Sequence, residues 1–535
     1  MKRTIPFWQL SCALAMLVLF ACSGCSQGGE ELPDPDPKPV NPDPESLRGK
    51  DADIDQWMYD YLNTHYLWNS AIPNVKPNYS LDYKDFLDDV LQQVADQHDI
   101  NHDDGHWENG KRSYFYSNVS RTAANTLSGI QTRFSTDKMI SSYGFEMLFL
   151  TQLSNTSYGF IVAEVNPNGP AAKAGIKRGD IILKMGGMPI TKTNANDRWV
   201  SLFYDESGSV NLTLLDIGAY FDPKKIIKEG EQVALSVAHY EDNPVLLSKV
   251  LTAKTGEKVG YLNYAAFNYN YDQALIDAFS VFAEEGIDEL VLDLRYNGGG
   301  HVVSSTVLGT LIAGKAHQGE VYTKTIYNES RKNETADCYK IGEAVYNTSD
   351  SRHRYDAIAT ALHSAVNLAR IYVLCTNSTA SASELIVNGL RGLDFDVRLI
   401  GETTNGKNVG MEPIDKVFKG YKYLFSPITF YSSNAEGFND YSNGFKPDIE
   451  VEEYFWYETE TGDTAYGELG NPEFDHYLRL AMAWIEKGER PTPSQSATTR
   501  SAGAALPLNG PQRIESPNLH PRHPQGMLRL PATEE

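Results

Sequence analysis

A chain of 535 residues, 41% apolar and 22% charged with 26 prolines and 42 glycines, is mostly globular and too long for one hydrophobic core. At roughly 150 residues per domain it holds about three. Seventy acidic against 47 basic residues leave a formal net charge of -23, and a surface that acidic disfavours nucleic acid as a partner. Five cysteines cannot build a disulfide scaffold. Three of them, Cys12, Cys22 and Cys25, lie near the N-terminus, and Cys375 ends the apolar run Ile371–Cys375, where packing is its expected role.

Lys2 and Arg3 precede an apolar stretch from Leu10 to Ala21 that is too short to span a bilayer and has the layout of an export signal, 1–25. Its end, Leu19-Phe-Ala-Cys22-Ser-Gly-Cys25, resembles the lipobox of bacterial lipoproteins, in which a small residue precedes the lipidated cysteine. Lipidation of Cys22 (or Cys25) is the expectation, with a plain secretory signal as the alternative. Residues 26–46, rich in Pro and Asp, cannot bury a core and read as an extended tether. Together they predict an exported chain, lipid-anchored to a bacterial membrane on its periplasmic or cell-surface face and meeting that membrane through the anchor only.

Over 47–140 apolar residues recur at helical spacing, first Ile54, Trp57, Met58, Tyr61 and Leu62, then Phe86, Leu87, Val90, Leu91 and Val94, with Pro73 and Pro77 between them. This pattern predicts an N-terminal helical domain. Asp51, Asp53 and Asp55 begin like a calcium loop, but Gln56 and Leu62 stand where its glycine and glutamate belong. His98, His102 and His106 lie in an Asp- and Asn-rich stretch that reads as a solvated loop. No metal and no cofactor are expected.

From 141 to 216 strand signals return, in the order Ser142-Tyr-Gly-Phe145, Gly159 to Val165, Pro170-Ala-Ala-Lys-Ala-Gly175 and Arg178-Gly-Asp-Ile-Ile-Leu183. That order resembles a PDZ domain. The resemblance implies that the backbone of Tyr143, Gly144 and Phe145 receives a peptide's C-terminal carboxylate while the peptide adds to a sheet edge; a closed β-rich packing module is the alternative. Residues 217–257 read as a polar connector containing one strand, and strands and helices then alternate over 258–490, as α/β crossovers do. The last stretch, 491–535, holds eight prolines and no Phe, Trp or Tyr, and is expected to be disordered.

Three loops follow strands of the α/β region. Asp293-Leu-Arg-Tyr-Asn-Gly-Gly-Gly300 turns on three glycines and offers backbone N–H groups near a helix start. Asn377-Ser-Thr-Ala-Ser-Ala-Ser-Glu384 sets a serine where a buried strand turns into a helix, which suits a nucleophile and equally suits a helix N-cap. Gly401-Glu-Thr-Thr-Asn-Gly-Lys407 carries a lysine that by itself is a surface charge.

In this order, downstream of a PDZ-like segment and followed by Gly444-Phe-Lys-Pro-Asp448, these loops resemble the C-terminal processing (tail-specific) serine peptidases over about residues 140 to 455. The resemblance implies an α/β multidomain protein: a helical N-terminal domain, a β-rich PDZ domain and a ClpP/crotonase-like serine peptidase core. It puts the nucleophile at Ser381, the general base at Lys407 and the oxyanion hole at Ala382 and Gly299. The implied function is an exported endopeptidase acting through a Ser-Lys dyad on proteins or peptides recognised by free C-termini. The alternative is a catalytically silent peptide-binding scaffold of the same fold, and a histidine-using hydrolase through His301 is weaker still. Two features depart from the family pattern: the serine-to-lysine interval is one residue longer, and Met411, followed by Glu412, stands where a lysine-orienting glutamine is usual.

Overall fold

The loops that carry the motifs converge because the strands before them run parallel in one sheet. Glu289–Asp293 and Arg370–Cys375 are nearly continuous apolar runs, the pattern of strands covered on both faces. They lie in a six-stranded sheet ordered Val245–Thr252, Lys258–Tyr264, Glu289–Asp293, Arg370–Cys375, Asp396–Gly401 and Ile449–Glu450, parallel throughout except for the first pair. The computed structural model describes residues 51–94, 99, 107–108, 111–112, 115–123, 138–221, 227–334, 337–346, 354–458 and 464–492, with the short pieces 504–505, 512–513 and 526–528. The 1–25 signal with Cys22 and Cys25, the 26–46 tether, and His98, His102 and His106 lie outside the described residues.

Helices cover both faces of this sheet. Asp272–Glu285 turns Leu275, Ile276, Phe279 and Phe282 inward and stops at Gly286, whose left-handed φ of 66° glycine adopts without a Cβ penalty. With the fully buried Val302–Ala313 and with Ala382–Arg391 it builds the largest core. On the other face His476–Lys487 lays Tyr477, Leu478 and Ala481 against Tyr261, Tyr372 and Ile400. A fully buried Leu, Ile or Phe among these is worth about 1.5–3 kcal/mol.

The PDZ-like module is a sheet ordered Glu229–Ser236, Ser209–Leu215, Ile181–Met185, Tyr158–Val165 and Phe145–Gln152, with Trp199, Leu202 and Phe203 of the helix Ala195–Tyr204 packed on it. Residues 217–257 are more than a connector. Glu229–Ser236 extends the module's sheet by pairing with Ser209–Leu215, and Val245–Thr252 starts the second sheet by pairing with Lys258–Tyr264. The helices Ala52–His65 and Tyr83–Gln93 share one core with Val409, Met411, Tyr423, Phe425 and Ile428, so the N-terminal region packs directly on the hairpins beyond Lys407. Within 491–535 three short backbone pairings occur, Ala504–Ala505, Gln512–Arg513 and Gly526–Leu528.

Candidate active site

In register, Asp293 lies opposite Leu374 and Cys375 opposite Gly401, so the three loops leave the sheet at one edge, where parallel strands deliver functional loops. The first loop is pinned by charge. Arg295, fully buried, donates to Asp293, Glu453 (3.1 Å) and Asp475 (2.7 Å). Arg178 reaches in from the PDZ module to Glu453 (2.7 Å) and the Tyr296 hydroxyl (2.9 Å). Tyr296 holds a left-handed φ of 63°, a conformation costing about 1–3 kcal/mol that persists because both ends of the residue are tied down. Next to it Asn297 clips the first loop to the second, its carbonyl accepting from Ala380 N (3.0 Å) and Ser383 Oγ (2.9 Å).

Ser381 precedes the helix Ala382–Arg391 with φ 62° and ψ -113°, a strained conformation for a residue with a side chain. Its Oγ is buried and has no hydrogen-bond partner among the described residues. Oγ faces the Glu384 amide in a capping-box arrangement but makes no hydrogen bond to it, so the oxygen is not committed to the cap and is left available.

The residue joining the second loop to the third is Glu384. One carboxylate oxygen accepts from Ser381 N (2.8 Å) and Lys407 N (2.9 Å), the other from Thr404 Oγ1 (2.6 Å) and Gly406 N (2.7 Å). Burial pushes its carboxyl up to about 7 against the pull of those donors. The backbone on both sides of the nucleophile-to-base gap is therefore held by one side chain. Its place at the third position of a helix was the readable signal, since Glu there commonly reaches back to the capping residue's amide.

Lys407 is buried at 1% exposure, its Nζ 4.1 Å from the centre of the Tyr116 ring, and the Tyr116 hydroxyl donates to Asn405 (3.0 Å). Asp99 lies close enough for their charges to interact. Burial pushes its carboxyl up to about 6, opposed by hydrogen bonds from Ser117 and Tyr66 and by the charge of Lys407. Tyr116 and Asp99 lie 291 and 308 residues upstream of Lys407, and nothing in their local sequence marks them. Met411 belongs to the apolar core shared with the N-terminal helices. Glu412 accepts from Arg331 (2.6 Å) and from the Tyr327 hydroxyl (3.1 Å), so that carboxylate serves an ion pair.

The Asp99 carboxylate favours the ammonium form of Lys407. Replacing it with the neutral isostere in Asp99→Asn is expected to move the rising limb of the kcat/KM pH profile to lower pH, because the lysine then loses its proton more readily. A limb that stays in place or moves up would show that Asp99 does not act on the lysine.

Of the other expected residues, Ala382 is the first residue of its helix, where amides lack intrahelical partners. Gly299 lies against the nucleophile turn: a Cβ there would come within 2.8 Å of Ser381 Cβ, Ala380 O and Ala382 N. Its own N–H donates to Asn297 Oδ1 (2.9 Å), so a role as oxyanion donor requires that bond to open. His301 is buried with Nδ1 3.1 Å from the Phe267 carbonyl, and burial pushes it down to about 4. In the PDZ module Tyr143 and Phe145 are buried, and Gly144 donates to Ser142 Oγ (3.1 Å). Its φ of 88° and the approach of Gly169 Cα, 2.8 Å from a Cβ at this place, admit only glycine. Among the described residues no group of His, Cys, Asp and Glu is placed to hold a metal ion.

Three family profiles match in order: the Peptidase S41 N-terminal domain over 53–107, a PDZ domain over 161–215 and Peptidase family S41 over 258–451. The chain carries an S41 peptidase region, 258–451. A chloroplastic C-terminal processing peptidase of Tetradesmus obliquus is 24% identical over 256 residues, covering 48% of this chain and 49% of its own. A carboxyl-terminal-processing protease of Picosynechococcus is 27% identical over 244 residues, covering 45% and 49%. The chain thus spans about half the length of these relatives. A crystal structure from Bacteroides fragilis, described as an S41 protease, shares the fold at TM-score 0.59 and 24% identity, over 81% of this chain and 97% of its own. The expected fold class holds for this S41 chain: an N-terminal helical region, a PDZ domain and a mixed α/β peptidase region.

Proposed function

We propose that this S41 chain is an exported serine endopeptidase that cleaves proteins or peptides recognised by their C-termini, with Ser381 as nucleophile and Lys407 as general base. The observation that carries the reading is the Glu384 carboxylate, bonded to the amides of both residues, with the unpartnered Ser381 hydroxyl on one side and the buried Lys407 on the other. Burial disfavours the ammonium form, which is the direction a general base requires. That amine takes the proton of Ser381 as Oγ attacks the peptide carbonyl, and returns it to the leaving amine as the acyl-enzyme forms. Water then resolves the ester by the same base. The oxyanion lies between the Ala382 amide and the glycine run, with Gly299 contributing once Asn297 releases its N–H.

A fluorophosphonate probe and a casein digest on pure protein test this. Labelling and cleavage that vanish in Ser381→Ala are expected; neither in the natural chain would establish the silent scaffold instead. Carboxylate docking at Tyr143, Gly144 and Phe145 belongs to the same proposal and predicts a higher KM for C-terminally amidated peptides. Anchoring through Cys22 or Cys25 is checked by fractionation: replacing both by Ser should free the chain from membranes, and retention after a carbonate wash would refute the anchor.

A further inference from the structure

Near its C-terminus the chain meets both places where a substrate would bind. Gln512–Arg513 pairs antiparallel with Gln152 and Thr151 on Phe145–Gln152, whose other edge is taken by Tyr158–Val165. This open edge, beside the helix Ala195–Tyr204, is where a PDZ ligand adds as a strand, and the antiparallel direction is the one such a ligand takes. Further on, Gly526–Leu528 runs parallel to both Gly299–His301 and Val409–Met411, inserted between the glycine loop and the strand that follows Lys407.

The register is specific to the catalytic slot. Gly299 pairs with Gly526 and is itself pressed against Ser381, so the tail backbone passes about one strand spacing, ~4.8 Å, from the glycine that abuts the nucleophile turn. Gly299 O accepts from Phe267 N (2.9 Å) and His301 N donates to Phe267 O (2.8 Å). Because backbone groups alternate along a strand, the N–H and C=O of Gly300 face the tail. On the other side Gly410 and Met411 pair with Met527 and Leu528.

Resting on the peptidase reading of the Ser381 site, we propose that the C-terminal segment is a resident occupant of the enzyme's own substrate path. It adds to the PDZ edge through Gln512–Arg513 and fills the catalytic slot through Gly526–Leu528, so an incoming peptide must displace it. Tethering makes a weak contact effective: at an effective concentration of about 1 mM, a segment of Kd about 0.1 mM lowers the apparent affinity for substrate about tenfold. The same pairing assigns the substrate geometry, an extended strand parallel to Gly299–His301 and Val409–Met411.

The test keeps the full chain and breaks the pairing by Met527→Pro with Leu528→Pro, which removes two backbone donors. A fluorescein-labelled peptide of residues 508–535 is added to this variant and to the chain with its natural tail, both carrying Ser381→Ala. Saturable binding to the proline variant, at least about fivefold tighter than to the natural tail, is expected; equal binding to both, or binding to neither, overturns the proposal. In the chains that keep Ser381, casein kcat/KM should rise about tenfold on breaking the tail. Turnover that is present but unchanged also overturns it. Expected binding with no turnover in any chain leaves the tail in place and rejects the peptidase reading, so the two failures are distinct.

Discussion

Ser381→Ala is expected to lower casein turnover by about 10⁴-fold or more while leaving the fold intact or slightly stabilised. The loss follows from the chemistry: without Oγ no acyl-enzyme forms, and the residual rate is what binding and the oxyanion site supply on their own. The stability effect follows from the structure. Ser381 is fully buried and its hydroxyl has no partner among the described residues, so the native state carries an uncompensated polar group whose desolvation costs about 1–3 kcal/mol. Alanine removes that group without a cavity of consequence, and the melting temperature should hold or rise. A variant that loses activity because it melts far below the natural chain would instead make Ser381 structural. Lys407→Arg supplies the companion result. Arginine keeps the charge over the Tyr116 ring but cannot become a neutral base, so activity should vanish with the fold kept.

Much of this site was readable because its parts are local in sequence. Ser381, Lys407 and the glycine run each follow a recognisable apolar strand, and strand order in a parallel sheet brings such loops to one edge whatever lies between them. What orients the lysine was not readable. Met411 stands where an orienting glutamine is usual and invites a search among its neighbours, yet Glu412 turns to Arg331 and the lysine faces Tyr116 and Asp99. Those residues arrive through the core that the N-terminal helices share with Val409 and Met411, a tertiary contact that no periodicity announces. The strand expected within 217–257 is present as Glu229–Ser236, while Val245–Thr252 and Gly526–Leu528 carry no alternation that marks them and take their places by backbone pairing with neighbouring strands.

Glu384→Gln is expected to lower both turnover and stability strongly, because one side chain holds the backbones of the nucleophile and the base. Whichever way the amide is turned, its NH₂ replaces an oxygen that accepts two protein donors, so donors face donors across buried contacts. At about 1–3 kcal/mol for each orphaned group the cost is roughly 2–5 kcal/mol. Ser383→Ala, which removes one 2.9 Å bond to the Asn297 carbonyl, is the control at about 1 kcal/mol. Because Glu384 sets the distance between the Ser381 and Lys407 backbones, kcat should fall about 100-fold, the penalty for reacting groups displaced by an ångström. The pH dependence separates this residue from its neighbours. Its carboxyl, ordinarily near 4.5, is pushed up to about 7 in the fold, so between those values the native chain holds a proton that the unfolded chain has released. The stability contributed by the protonated form is complete below about 4.5 and is lost as pH rises through about 7. Glutamine cannot titrate, so the advantage of the natural chain over Glu384→Gln in urea unfolding should shrink by up to about 3 kcal/mol from pH 4.5 to pH 7. A pH-independent gap between the two, or a glutamine variant with most of its kcat, would mean that the loops are held together by other contacts.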